Sequence, residues 1–211
     1  MTRIAYHLAP ALMLTYGAVR LIDGRDGQHG PGPAWTIGHL FFLGSLLLYG
    51  AVIAGVHARI RAIAGGGRAQ RITAGVMAAV AAFGLVTFVR VAIIDIVVGL
   101  QAADPAEKSM LGDRYADVPA VLPQAVYEIG PALFMVGLLA LLVQYAAVAP
   151  GRKAVAALSP VLLLVAFAAI TANLDLLPVG AGLIWGALVL SARERGASSP
   201  VRSETRARVA A

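Results

Sequence analysis

Inside an apolar run, a polar or ionisable side chain is costly, so the few that occur there are the residues able to do chemistry. Tyr16, Arg20 and Asp23 are spaced by four and by three, which puts them on one face of a helix. His39 follows Trp35 by one helical turn. Arg90 and Asp95 lie five apart in a third run, so they point in different directions and each needs a partner on another helix. Glu128 precedes Gly130-Pro131, and Asn173 and Asp175 interrupt a later run. These residue types suit charge compensation and proton exchange. Arg90 offers fixed positive charge for an anionic group, Glu128 is its natural counter-charge, and Asp95 or Glu128 can carry a proton. His39 with Glu128 or Asp95 is the acid/base combination. Each group also has a plain structural role. Arg20 can snorkel to an interface, and Glu128 is favoured at a helix N-terminus.

The elements that hold these groups are apolar segments. The chain has 211 residues, of which 59% are hydrophobic and 13% charged, with a mean hydropathy of +0.80. Soluble domains are about half apolar and a quarter charged. That composition excludes an ordinary soluble enzyme, a disordered chain and, with no cysteine, a disulfide-stapled secreted domain. It predicts an all-α, polytopic transmembrane helix bundle. A crossing takes about 20 apolar residues, and six spans are expected, over 4–22, 35–56, 72–100, 125–148, 154–173 and 176–192. The last two share a 39-residue stretch, 154–192. As one helix that stretch would run about 58 Å, too long for one crossing. A hairpin bent at Asn173, Asp175 and Pro178 is therefore expected. In the first run Ala9-Pro10-Ala11 comes too early for a signal-peptide cleavage site, so an uncleaved helix is expected. Residues 1–192 form one membrane domain in this reading. The Arg-, Ser- and Ala-rich tail, 193–211, has the composition of a disordered segment.

Loop Lys and Arg set orientation. Arg3, Arg59, Arg61, Arg68, Arg71, Arg152, Lys153 and the tail arginines fall on one side, against Arg20, Arg25, Lys108 and Arg114 on the other. The richer side is expected in the cytoplasm of a cell whose plasma (inner) membrane holds the protein, with both termini inside. The net charge of +6 is then a matter of orientation and lipid contact, and no nucleic-acid partner is expected. Under this topology Tyr16, Arg20, Asp23, His39, Arg90, Asp95, Glu128, Asn173 and Asp175 all belong to the outward half, where they predict a polar pocket.

No cofactor is expected. His7 and His57, near the inner ends of adjacent spans, are the one pair that a haem could use. His39, Asp23, Asp95 and Glu128 lack the tight spacing of a metal site. Phosphate-loop, nucleophile-elbow and zinc-protease motifs are absent from the sequence. Small residues recur at Ala74, Ala78 and Ala82, at Gly75 and Ala79, and at Gly182 and Gly186, a pattern that lets helices pack in a bundle, a homo-oligomer or a complex with a membrane partner protein. Three functions fit. The first is small-solute or ion transport or sensing through the outward pocket. The second is an accessory or assembly subunit, and the third a lipid-modifying enzyme.

The run Gly130-Pro131-Ala132-Leu133-Phe134, then Gly137-Leu138-Leu139, the Arg152-Lys153 turn and Leu177-Pro178-Val179-Gly180 give the second half a resemblance to uncharacterised polytopic membrane proteins common in actinobacteria. The resemblance implies a six-helix integral membrane protein and carries no catalytic residue across.

Overall fold

Long apolar runs become long helices, and here they do so even across the internal prolines Pro10, Pro131 and Pro160. A computed structural model describes residues 2–27, 29–63, 67–117, 123–149 and 153–193. They form α1 (Thr2–Asp23), α2 (Pro33–Ala62), α3 (Arg68–Gln101), α4 (Pro105–Asp117), α5 (Gln124–Val148), α6 (Lys153–Ala172) and α7 (Leu177–Arg193), with no strand among the described residues. The Arg152 turn and the tail beyond Arg193 lie outside them.

Five helices are long and apolar enough to cross a membrane: α2, α3, α5, α6 and the stretch Leu174–Ala192 that contains α7. α1 carries Arg3, His7 and Arg20 along its 22 residues and is not among the five. The expected hairpin is present. Asn173 ends α6, its Oδ1 accepts the Asp175 N–H at 2.9 Å, a single 3-10 turn follows, and α7 starts with Pro178 in its first turn.

Helix ends depart from the apolar runs. α2 continues beyond the expected 56 to Ala62, and α3 begins at Arg68, so Arg59, Arg61, Arg68 and Arg71 stand on helical turns and not in a loop. Charged residues extend a helix readily once it protrudes from the apolar layer; residues 64–66, between the two helices, lie outside the described residues. α3 is unbroken over 34 residues, about 51 Å, and passes through Arg90 without ending there.

Side-chain bonds define the two ends of the bundle. The Arg59 guanidinium of α2 lies over the Tyr6 ring of α1, 4.4 Å from its centre, and donates to Ser191 O of α7 at 2.9 Å. There it meets the carbonyl-rich end of α7, where a cation is favoured. At the same end Gln144 Nε2 of α5 donates to Gln70 O of α3. We call this the Arg59 end and the opposite one the Trp35 end. The six long helices close a ring in the order α1, α2, α3, α5, α6, α7, with α2 also touching α5. Its interior is filled by Leu46, Tyr49, Val52, Leu138, Leu141, Leu163, Ile184 and Leu188, while Leu47, Val86, Val136, Val161, Leu164 and Val179 face outward. An apolar core inside an apolar outer belt is the pattern of a bundle solvated by lipid.

The tightest crossing joins α3 and α5. A Cβ at Gly84 would lie 2.3 Å from Phe134 N, and one at Gly137 2.5 Å from Ala81 N. Of the small residues singled out by spacing, Gly75 and Gly182 face open space and Gly186 makes only ordinary contact. Recurrence every four residues does not say which face of a helix meets a neighbour.

Candidate functional site

At the Trp35 end, three helices bring one polar group each to a common point. α1 supplies Tyr16, α2 supplies His39, and α3 supplies Asp95. His39 is buried. Its Nδ1 sits 2.8 Å from Trp35 O. A carbonyl only accepts, so Nδ1 carries the proton and the neutral ring has its lone pair on Nε2. That Nε2 faces two groups: the Tyr16 hydroxyl at 3.3 Å and Asp95 Oδ2 at 3.6 Å. Tyr16 donates to it. The carboxylate stands beyond hydrogen-bond range of a nitrogen that has no hydrogen to give.

Trp35 frames the cluster. Its ring packs on His39 with centroids 4.2 Å apart, and its Nε1 donates to Asp95 O at 2.8 Å. Gly99, one turn beyond Asp95, leaves the room this needs, since a Cβ there would lie 2.2 Å from Trp35 Cδ1. Close approach of α1 to α2 rests on Gly38, whose missing side chain faces Tyr16 and Val19.

α4 covers this end. Lys108 stands over the Trp35 ring, 3.9 Å from its centre, and donates to His29 O. Burial pushes the Lys108 ammonium below the ordinary lysine range and Arg20 adds to the fall, while Asp23 and Asp95 pull it back up. His29 in turn faces Asp23, with 3.9 Å between Nδ1 and Oδ2. The link after α1 is shaped by Gly27, whose φ of 81° favours glycine. Tyr16, Arg20, Asp23, His29, Trp35 and His39 line a cavity of about 10 Å³, room for about one water. Arg20 Nε is buried there without a hydrogen-bond partner among the described residues.

The nine residues expected to share a pocket therefore divide. Tyr16, Arg20, Asp23, His39 and Asp95 come together. Arg90 is held elsewhere, over the Tyr127 ring of α5 at 4.1 Å and donating to Tyr115 O of α4 at 3.3 Å. Glu128 is exposed on α5, and no Arg90–Glu128 ion pair occurs among the described residues. Asn173 and Asp175 are exposed at the α6–α7 turn and do not line the cavity.

The chain matches no known protein family, no curated protein and no solved structure.

Lys108, His29 and the role of Trp35 as a frame were not anticipated. The signal for α4 is in the sequence. Asp104-Pro105 followed by Glu107 is a helix start with proline at the first position. Asp104 Oδ1 accepts the Glu107 N–H at 2.8 Å, and Glu107 Oε2 accepts the Ala103 N–H at 2.8 Å, a variant of the reciprocal capping box. The described residues hold no group of three or more His, Asp or Glu able to bind a metal. His7 Nδ1 accepts from Trp185 Nε1 at 3.1 Å.

Proposed function

We propose that the chain crosses the bilayer six times, α1 included, with the Arg59 end in the cytoplasm, and that the Tyr16–His39–Asp95 cluster is a protonation-linked site for transport or sensing of a small solute or ion from the outer face. α1 supports the first part: Tyr6 and Ala9 are fully buried, and the helix closes the ring between α2 and α7. The second part rests on one observation, a single imidazole nitrogen with both a hydroxyl and a carboxylate beside it. Neutral His39 accepts from Tyr16. Doubly protonated His39 becomes a donor at Nε2, and the carboxylate at 3.6 Å becomes its ion-pair partner. The two protonation states thus favour different contacts among α1, α2 and α3. Arg20 and Asp23 of α1, His29 and Lys108 of α4 set the field around this exchange. The one-water cavity means that any solute larger than water enters when α4 or the link after α1 moves.

The test is proton-linked flux. In proteoliposomes under an imposed pH gradient, a trapped pH-sensitive dye reports movement across the bilayer. His39→Gln and Asp95→Asn are expected to slow it at least tenfold, and Glu128→Gln to leave it unchanged. Equal rates for wild type, H39Q and D95N would remove this reading.

A further inference from the structure

At the opposite end of the molecule, α1 and α7 leave a groove open to the outside. Its volume is about 410 Å³ and it is lined by Arg3, Ile4, His7, Leu8, Ala11 and Trp185. The first five lie on one stripe of α1, and Ile4 and Leu8 are exposed along it. Two polar groups stand in this apolar groove. Indole Nε1 is only a donor, so the Trp185–His7 bond fixes His7 Nδ1 as acceptor and puts the ring proton on Nε2. That Nε2–H has no partner among the described residues, and neither does the Arg3 guanidinium one turn away. Arg3 and His7 are four apart and share a helix face.

In a bilayer an unpaired donor on the surface of the bundle is costly unless a lipid group answers it. We infer that the α1–α7 groove binds one anionic phospholipid, its phosphate held by Arg3 and His7 Nε2–H and an acyl chain laid along Ile4, Leu8 and Ala11. Charge selects this occupant. Arg59, Arg61, Arg68 and Arg71 make the whole end positive, which draws an anionic headgroup and disfavours the chain's own Arg-rich tail. The inference rests on the membrane reading of the bundle and is independent of the His39 cluster.

The test uses the full chain in nanodiscs of phosphatidylcholine with or without phosphatidylglycerol, released and read by native mass spectrometry. One phosphatidylglycerol is expected to stay bound at least tenfold more often than phosphatidylcholine. Arg3→Gln, on an exposed position, is expected to abolish that preference and Arg3→Lys to restore most of it. Arg71→Gln, at the same end but outside the groove, is expected to leave it intact. Equal retention of the two lipids overturns the inference. So does an effect of R71Q as large as that of R3Q, which would mean diffuse surface charge. Displacement of the lipid by inorganic phosphate alone would mean an anion site without a chain groove. A lipid-free dimer would mean that a second copy fills the groove. Both also overturn it.

Discussion

Replacing Gly99 by alanine puts a methyl group where the Trp35 ring now lies, 2.2 Å from Cδ1 and 2.7 Å from Nε1. A rigid side chain gives way only by rotating, and Trp35 has little freedom to rotate. His39 packs on its ring at 4.2 Å, Lys108 stands over it at 3.9 Å, and its Nε1 is bonded to Asp95 O. Overpacking of a well-filled site costs about 1–3 kcal/mol, and a lost hydrogen bond about 0.5–1.5 kcal/mol. Alanine returns roughly 0.5–1 kcal/mol of helix preference over glycine. The expected net loss is about 2 kcal/mol. For a chain of this length, 1 kcal/mol corresponds to roughly 2–4 °C in Tm, so Gly99→Ala should melt about 4–8 °C below wild type in detergent, followed by far-ultraviolet circular dichroism. Gly182→Ala is the matched control, because nothing lies within 4 Å of its Cβ position. It should melt at or slightly above wild type. Trp35 emission should also shift to longer wavelength in G99A as the ring leaves Asp95 O. A G99A protein with wild-type Tm and emission would refute the claim that Gly99 seats Trp35 in the cluster.

Two further outcomes follow from the packing and from the sidedness. Gly84→Ala, whose Cβ meets the Phe134 and Gly130 backbone, should lower Tm by more than G99A, since backbone cannot rotate away; Gly75→Ala on the open face of the same helix should not. The chain has no cysteine, so single cysteines can map topology: in intact cells an impermeant maleimide should label Asp113→Cys from outside and leave Arg68→Cys untouched until the membrane is opened.

The helices were legible because their signal is length and apolarity. α2, α3, α5 and α6 each contain one of the expected apolar runs, and the α6–α7 bend falls at the residues whose chemistry bends chains, Asn173 and Pro178. α1 sits at the margin of that signal: the run 4–22 is among the six expected spans, but α1 is not among the five helices long and apolar enough to cross. Its polar residues lower its hydropathy, yet Tyr6 and Ala9 are among the most buried residues of the protein. Partners within the fold, such as Arg59 on Tyr6, make its polar surface tolerable, and hydropathy alone does not register them. α4 failed to register for the opposite reason: it is short and polar, and only its Asp104-Pro105-Glu107 start marks it.

The cluster was half legible, and the half that was missed has one physical cause. The topology read from loop charge put all nine candidates in the outward half, which was enough to bring Tyr16, His39 and Asp95 to one end of the bundle. Direction around the bundle depends on which helices are neighbours, and that is decided by close packing at Gly84, Gly130 and Gly137. Because α3 lies between α2 and α5, its two polar residues can serve different neighbours. Asp95 turns to His39 on α2, and Arg90 turns to Tyr127 on α5. The Arg90–Glu128 pair suggested by charge alone gives way to an aromatic ring on the same helix turn. A desolvated guanidinium over an aromatic face gains about 2 kcal/mol or more, and an exposed one about 0.5–1 kcal/mol. An exposed ion pair is worth about 0–1 kcal/mol. With Tyr127 buried and Glu128 exposed, the ring is the stronger partner, and Arg90 is thereby drawn away from the His39 cluster. The charge that remains beside His39 is that of Arg20 and Lys108 against Asp23 and Asp95, two of each sign. A proton on His39 then gives an otherwise balanced site a net positive charge, with the Asp95 carboxylate 3.6 Å from the protonated ring as its counter-charge.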